Sequence, residues 1–393
     1  MKKAQDWAQP CPNPNCPDYN QFHRGNIIAQ TTYMTRSGKR RIFKCTHCNQ
    51  RFSETRNTVF YDLRLPEETV MLVLKLCLVA VSLSGISFAV GVTEETILRW
   101  LQRAAEQSER VNARLLQEVQ VSQVQLDELW NFVARKQAEQ SQADGEADQE
   151  SADQESADQE RPDGRHWVWL SYAPESCLLL ATEVGPRTLN HAQRLIQKTA
   201  SVVQGVPCFF SDGFSCYFSA LLSCYQQVTH FPRTGKRGRP RKDRIEPHPQ
   251  LVYAQLIKEK RNGRLQSLRV QVRCGAERLE QLGLKVSTSL VERLNLTLRT
   301  SLAPLVRKSP SFCKQPQRLE HRVVFFHAFY NLARPHMSLR RALQDASIET
   351  PRFQPQYEQR TPALAAGLTD HIWSFRELLT AKLPANDSQS ISR

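Results

Sequence analysis

VSQVQLDELWNFV (residues 121–133) alternates apolar and polar side chains, the period of a strand with one buried face. Two more strand-like runs follow it, HWVWLSYA (166–173) and SCLLLATEVG (176–185), joined by a Pro-Glu turn. Thr188 is placed to cap a helix reaching about Val203. VPCFFSD (206–212) reads as a short buried strand and FSCYFSALLSCYQQ (214–227) as the helix behind it. After that comes a long, irregular basic segment, then helices. Three adjacent strands followed by helix, strand and helix form the opening of a ribonuclease H-like α/β fold. In that arrangement the first strand is central and the end of the fourth lies beside it, so Asp127 and Asp212 become spatial neighbours.

A third acid, Glu292, sits in the helix-like SLVERLNLTLR (289–299). Carboxylates carried by separate elements and brought together are the ligand set that holds two magnesium ions for in-line displacement at a phosphodiester. Any one of them taken alone reads as an ordinary cap or turn residue.

The chain has 393 residues, enough for two or three domains with real cores, and a net charge of +14. Residues 139–163 hold ten acids and one arginine, so the remainder carries about +23. That surplus points to a polyanionic partner, DNA or RNA, or else to a merely basic surface. The acidic stretch contains tandem SADQE repeats and no aromatics, and it reads as a disordered insert over 138–164. The tail from about Asn386 is polar and reads as frayed. The start lacks the apolar core of a secretory signal. The most apolar run, VMLVLKLCLVAVSLSGISFAV (70–90), is broken by Lys75 and three serines and reads as buried helix, so no membrane partner is expected. Eleven cysteines, four of them in paired spacing, fit a reducing cytoplasm with metal binding better than a disulfide framework.

Those four are Cys11 and Cys16 (C-x4-C) and Cys45 and Cys48 (C-x2-C), with 28 residues between the pairs. Two thiolate pairs can close a tetrahedral Zn²⁺ shell and fold a segment too small to hold itself together. The intervening sequence suggests a two-stranded ribbon with a Ser-Gly turn, with Phe43 and Phe52 covering the metal side. His47 lies inside the second pair as an alternative ligand. Lys39, Arg40, Arg41 and Lys44 either meet phosphates or form a solvated face.

SLSGISFAVGVTEETILRWLQRA (82–104) fits a helix-turn-helix, with an ordinary helical hairpin as the alternative. Ile86 and Ala89 are expected inside, Gly91 at the turn with positive φ, Val92 as a plug and Thr93 as cap. Ile97, Trp100 and Leu101 form the buried side, leaving Glu94, Glu95, Thr96, Arg99 and Arg103 to face a major groove. Further on, KRGRPRK (236–242) has the Arg-Gly-Arg-Pro centre of an AT-hook. Arg237, Arg239 and Arg241 could enter a narrow minor groove, contact phosphates without sequence preference, or belong to a solvated loop.

ERLNLTLR (292–299), RKSPSFCK (307–314) and FYNLARPH (329–336) follow one another in order. Together with LDELW and SDGFSCY they resemble the bacterial DDE transposases of the first-named insertion-sequence family. The resemblance covers roughly residues 11–340. It implies that Asp127, Asp212 and Glu292 are the DDE triad, holding two Mg²⁺ ions, and that Arg299 is the basic residue following the Glu. Glu292, Asn295 and Arg299 fall at i, i+3 and i+7 on one helix face, so Asn295 and Arg299 could touch the DNA backbone beside the metal; a solvated Glu–Arg face is the alternative. The acidic insert, the wider first cysteine pair and the single reading frame depart from the family pattern.

The expected organisation is multidomain: a zinc ribbon (1–60), a small all-α helix-turn-helix domain (61–120), a ribonuclease H-like α/β catalytic domain (121–345) and a C-terminal extension (346–393). The resemblance implies a transposase acting on double-stranded DNA, both element ends and target, as a homodimer or higher oligomer in the bacterial cytoplasm at the nucleoid. Two rivals are a non-catalytic DNA-binding regulator that kept the fold and a structure-specific nuclease without strand transfer.

Overall fold

The computed structural model describes residues 9–133, 165–231, 243–261, 264–343 and 357–383. The acidic insert, Arg237, Arg239, Arg241 and the frayed tail expected from Asn386 lie outside the described residues. The chain divides into two units, one of Met1–Leu116, Ser301–Ala303 and His321–Arg393, the other of Gln117–Thr300 and Pro304–Glu320. Among the described residues no helix is long and apolar enough to cross a membrane.

The first unit opens with antiparallel strands β1 (Ile27–Thr35) and β2 (Gly38–Cys45), closed where Thr35 pairs with Gly38. A short third strand, β3 (Arg51–Ser53), extends the expected two-stranded ribbon. Phe43 and Phe52 pack with Ile27 against Cys11, Cys16 and Cys45 in a buried cluster. Three helices follow: α1 (Glu67–Leu76), α2 (Leu83–Val90) and α3 (Glu94–Leu115). The α2–α3 junction forms as its residue types dictate. Ser82 accepts from the Gly85 amide at 3.1 Å, Gly91 turns the chain at φ 71°, and Thr93 accepts from the Thr96 amide at 3.4 Å. Ile86, Val92, Ile97, Trp100 and Leu101 are buried, whereas Ala89 is exposed beside the fully solvated Phe88.

The second unit is built on strands β4 (Gln123–Phe132), β5 (Arg165–Ala173) and β6 (Leu178–Gly185). Helix α4 (Leu189–Val202), strand β7 (Cys208–Ser211) and helix α5 (Cys216–Cys224) come next. Thr188 occupies the α4 cap position without a side-chain cap bond. Residues 226 and 227, read as helix, instead start β8 (Gln226–Thr229), which pairs with β9 (Arg244–Pro247). The segment read as irregular also supplies two long strands, β10 (Val252–Arg261) and β11 (Arg264–Cys274), then helices α6 (Ala276–Leu282) and α7 (Ser289–Ser301). The six-stranded sheet has the order β11-β10-β7-β4-β5-β6, with β4, β7 and β10 parallel and the remaining pairs antiparallel. The first strand is therefore central, with the fourth hydrogen-bonded beside it. Val252, Ala254, Cys208 and Phe210 form an apolar face under Leu279, Leu284 and Val286.

Helices α8 (Pro316–Leu332), α9 (Pro362–Ala365) and α10 (Phe375–Thr380) complete the chain. The last described residues return to the first unit through backbone groups. The Val59 amide donates to the Leu379 carbonyl at 3.1 Å, Gln107 to that of Ala381 at 2.6 Å, and Asn20 to that of Leu383 at 2.7 Å. Arg40, one of the expected surface cations of the ribbon, is buried; its guanidinium donates to Glu67 at 2.5 Å, and Glu67 also pairs with Arg376. Residues 321–343, grouped by their sequence with the catalytic part, and residues 357–383 thus fall in the first unit.

Candidate active site

Strand register sets the site. Gln125 of β4 pairs with Phe210 of the parallel β7, so Asp127 and Asp212 each lie two residues further along. Both are tied locally: Asp127 accepts from the Glu128 amide at 2.9 Å and Asp212 from the Phe214 amide at 3.1 Å. Alternation then sorts the side chains. Gln125 and Asp127 meet α7, where the Val291 amide donates to Gln125 at 3.0 Å and the Asn295 side-chain amide donates to Asp127 at 2.6 Å.

Glu128 serves the opposite face. It accepts from Arg187 through Nε at 2.8 Å and Nη2 at 2.6 Å, and from the Tyr217 hydroxyl at 2.9 Å. The Arg187 guanidinium sits 4.3 Å above the Phe214 ring and 5.0 Å above that of Trp167. Asp127, Glu128 and Asp212 each bring one oxygen within 4.8 Å of the others. Burial, then the charges of Asp212 and Glu292, push the Asp127 carboxyl up to about 7. Burial, then Asp212, push Glu128 up to about 7 although Arg187 opposes the shift.

Glu292 is not in that carboxylate group. It lies close enough to act on Asp127 but is held by an ion pair with Lys258 and by the Thr288 hydroxyl, which donates at 2.9 Å. Asn295 is likewise engaged inward with Asp127 rather than turned to solvent. Arg299 is half-buried and donates to the Leu305 carbonyl at 3.1 Å. Neither Glu128 nor Lys258 is among the site residues that the sequence suggests. The short apolar, β-branched and aromatic run LVYAQLI (251–257) is the signal for a buried strand leading to Lys258.

The donor set suits a hard divalent cation, since all the grouped atoms are carboxylate oxygens. The Asn295 carbonyl oxygen is buried beside them with no hydrogen-bond donor among the described residues. A second, chemically different cluster lies in the first unit, where Cys11, Cys16, Cys45 and Cys48 bring their sulfurs within 4.8 Å of one another. The Cys11 and Cys48 sulfurs are 3.6 Å apart and those of Cys16 and Cys45 3.9 Å apart. Burial drives the Cys11 thiol up; against the same burial, donors from Gln50 and Asn13 hold Cys48 down to about 6. Four sulfurs at these separations fit a tetrahedral zinc site. His47 is paired with Asp18 and stands outside the group.

No protein-family description and no curated protein sequence matches the chain. Among solved structures, it is similar to a Mos1 transposase paired-end complex with left transposon end, at 12% identity and a TM-score of 0.16 over 37% of this chain and 52% of that one. It is similar also to a Mos1 strand transfer complex, at 12% identity and a TM-score of 0.15 over 35% of this chain and 48% of that one. A Mos1 mariner paired-end complex with Mn matches at 13% identity and a TM-score of 0.16 over 37% and 52%. This chain thus spans about half the length of each matched chain.

Of the groove-facing residues expected on α3, Arg99 is exposed. Arg103 donates to the Tyr61 carbonyl at 2.7 Å, and the Thr96 hydroxyl lies 2.9 Å from that of Thr93. Those two side chains therefore also hold the local structure together.

Proposed function

We propose that this chain is a DNA transposase with a ribonuclease H-like catalytic domain, cleaving and joining phosphodiesters with Asp127, Asp212 and Glu292 as its metal-binding acids. The observation that carries the reading is the level placement of Asp127 on β4 and Asp212 just past the end of the parallel β7, with α7 docked onto Asp127 through Asn295. Two Mg²⁺ ions held there would activate the attacking oxygen and stabilise the leaving one. The protein's own work is positional. Asn295 fixes the rotamer of Asp127, and Arg187 with Tyr217 pins Glu128 as a fourth carboxylate behind the pair. The protonated state favoured by burial must be given up when a cation is held, so loading releases protons.

In this reading the zinc ribbon of residues 1–60 and the helix-turn-helix of 61–120 bind the terminal inverted repeats. Arg299 contacts DNA beside the acids, and Arg99 contacts the groove. Arg237, Arg239 and Arg241 add minor-groove contacts. A duplex ending in the inverted repeats that flank the coding region, incubated with Mg²⁺ and a second duplex, tests the proposal. Release of a 3′-hydroxyl followed by its covalent joining to the second duplex is expected. Cleavage without joining would instead describe a nuclease, and binding without cleavage a regulator.

A further inference from the structure

Three relationships converge on a residue outside the acidic set. On β10, Gln255 pairs with Ser211 of β7, so Lys258 lies beyond the end of β7, on the side of the sheet where Asp212 follows. Alternation puts Lys258 on the face of Val252 and Ala254, which is the face covered by the α6–α7 segment. There its ammonium is ion-paired with the carboxylate of Glu292, which the Thr288 hydroxyl also holds. The Lys258 and Glu292 side chains are 33% and 45% exposed, so the pair is open to solvent and to a ligand.

We infer that Lys258 is a positioning residue that gates the third acid: it holds Glu292 apart from the Asp127–Glu128–Asp212 group until a divalent cation competes for that carboxylate, and its released ammonium then takes a non-bridging oxygen of the DNA phosphate. The inference rests on the metal-dependent transposase reading above. Its physical basis is competition for one carboxylate. The Lys258 ammonium and the Thr288 hydroxyl share Oε1 of Glu292, so a cation drawn to the same carboxylate meets the like charge of the ammonium, and a half-exposed ion pair is weak enough to be exchanged. The freed ammonium carries three donors on a flexible stem and suits a phosphate arriving at the same place. Lysine is not a spectator in such an exchange, because its charge changes partner from protein to substrate without leaving the site.

The test is a double-mutant cycle on Mn²⁺ binding by the DNA-free full-length chain, read by calorimetry and by the loss of free-Mn²⁺ paramagnetic signal. Lys258→Met should tighten Mn²⁺ by about fivefold, the worth of an exposed ion pair. In the Glu292→Gln background the same substitution should change affinity by less than about twofold, because nothing is left to gate. Equal tightening in both backgrounds would mean that Lys258 acts only as a general positive charge, and no tightening in either would mean that it does not compete; each overturns the gate. With DNA, Lys258→Met should raise KM for the duplex and Lys258→Arg should restore much of it; an unchanged KM overturns the phosphate role. If the parent chain binds no Mn²⁺, or binds it equally after Asp127→Asn, the metal-site reading beneath the gate fails, and the gate with it.

Discussion

The side-chain amide of Asn295 donates to Asp127 at 2.6 Å, joining α7 to the central strand across 168 positions of sequence. That bond fixes the acid rotamer and docks the helix that carries Glu292. Asn295→Ala should lower Mg²⁺-dependent cleavage by about 10–100-fold, as expected when a carboxylate ligand loses its supporting hydrogen bond. DNA binding by the same variant should stay within about twofold of the parent. A parallel loss of DNA binding, measured by fluorescence anisotropy, would place Asn295 on the nucleic acid instead.

Asp127 and Glu128 give the metal-free protein a defined pH dependence. Their ordinary values are 3.8 and 4.5, and both are pushed up to about 7 in the folded chain. Between about 4 and 7 the folded state therefore holds more protons than the unfolded one. Stability contributed by these groups is complete below pH 4 and is lost as pH rises through 7. Thermal melts of the chain in chelator should show that decline, Asp127→Asn should flatten it, and Mg²⁺ should reverse it above pH 7. A melting temperature that climbs from pH 5 to pH 8 without metal would contradict the buried placement of the pair.

Much of this site could be read from the sequence, for reasons that lie in particular residues. VQLDELW and VPCFFSD declare their strands because one-sided burial imposes alternation or an unbroken apolar run. Gly91 and Thr93 announce the α2–α3 turn because few other residues tolerate those backbone angles or supply that cap. What stayed hidden depends on tertiary partners. The Glu128 side chain is defined by Arg187 and Tyr217, which come from a loop and a helix far along the chain. The charged end of β10, KEK (258–260), resembles the basic segment before it, which masks the strand and with it Lys258. The return of the C-terminal residues uses the carbonyls of Leu379, Ala381 and Leu383, and a backbone bond leaves no mark on composition.

Glu67 is a structural acid of the first unit. It accepts from Arg40, whose side chain is only 10% exposed, and from Arg376. Glu67→Ala would leave the Arg40 guanidinium buried without its carboxylate, a change costing about 3–5 kcal/mol. Differential scanning calorimetry should show the loss, with Glu67→Gln intermediate. Stability within about 0.5 kcal/mol of the parent would mean that Arg40 finds water on its own.

Zinc removal should reach further than the ribbon. The Lys382 ammonium donates to Gln9 at 2.5 Å and to the Glu54 carbonyl at 2.8 Å, so the segment around α10 leans on backbone that the four cysteines organise. Cys45→Ser, or a strong chelator, should release one zinc per chain and expose residues 357–383 to limited proteolysis while the sheet unit stays folded. Metal analysis of pure protein finding no zinc would remove the assignment of Cys11, Cys16, Cys45 and Cys48.

In the proposed function Asp127, Asp212 and Glu292 act together on DNA through bound divalent cations, and one paired measurement decides whether they do. Strand cleavage and specific binding are followed on the same inverted-repeat duplex, with Mg²⁺, for the parent chain and for Asp127→Asn, Asp212→Asn and Glu292→Gln. Each substitution removes a ligand charge and leaves side-chain shape nearly intact. All three variants should bind the duplex within about threefold of the parent and none should cleave it, since a lost ligand charge removes the cation that drives the displacement. Full cleavage by any one of them would take that residue out of the catalytic set.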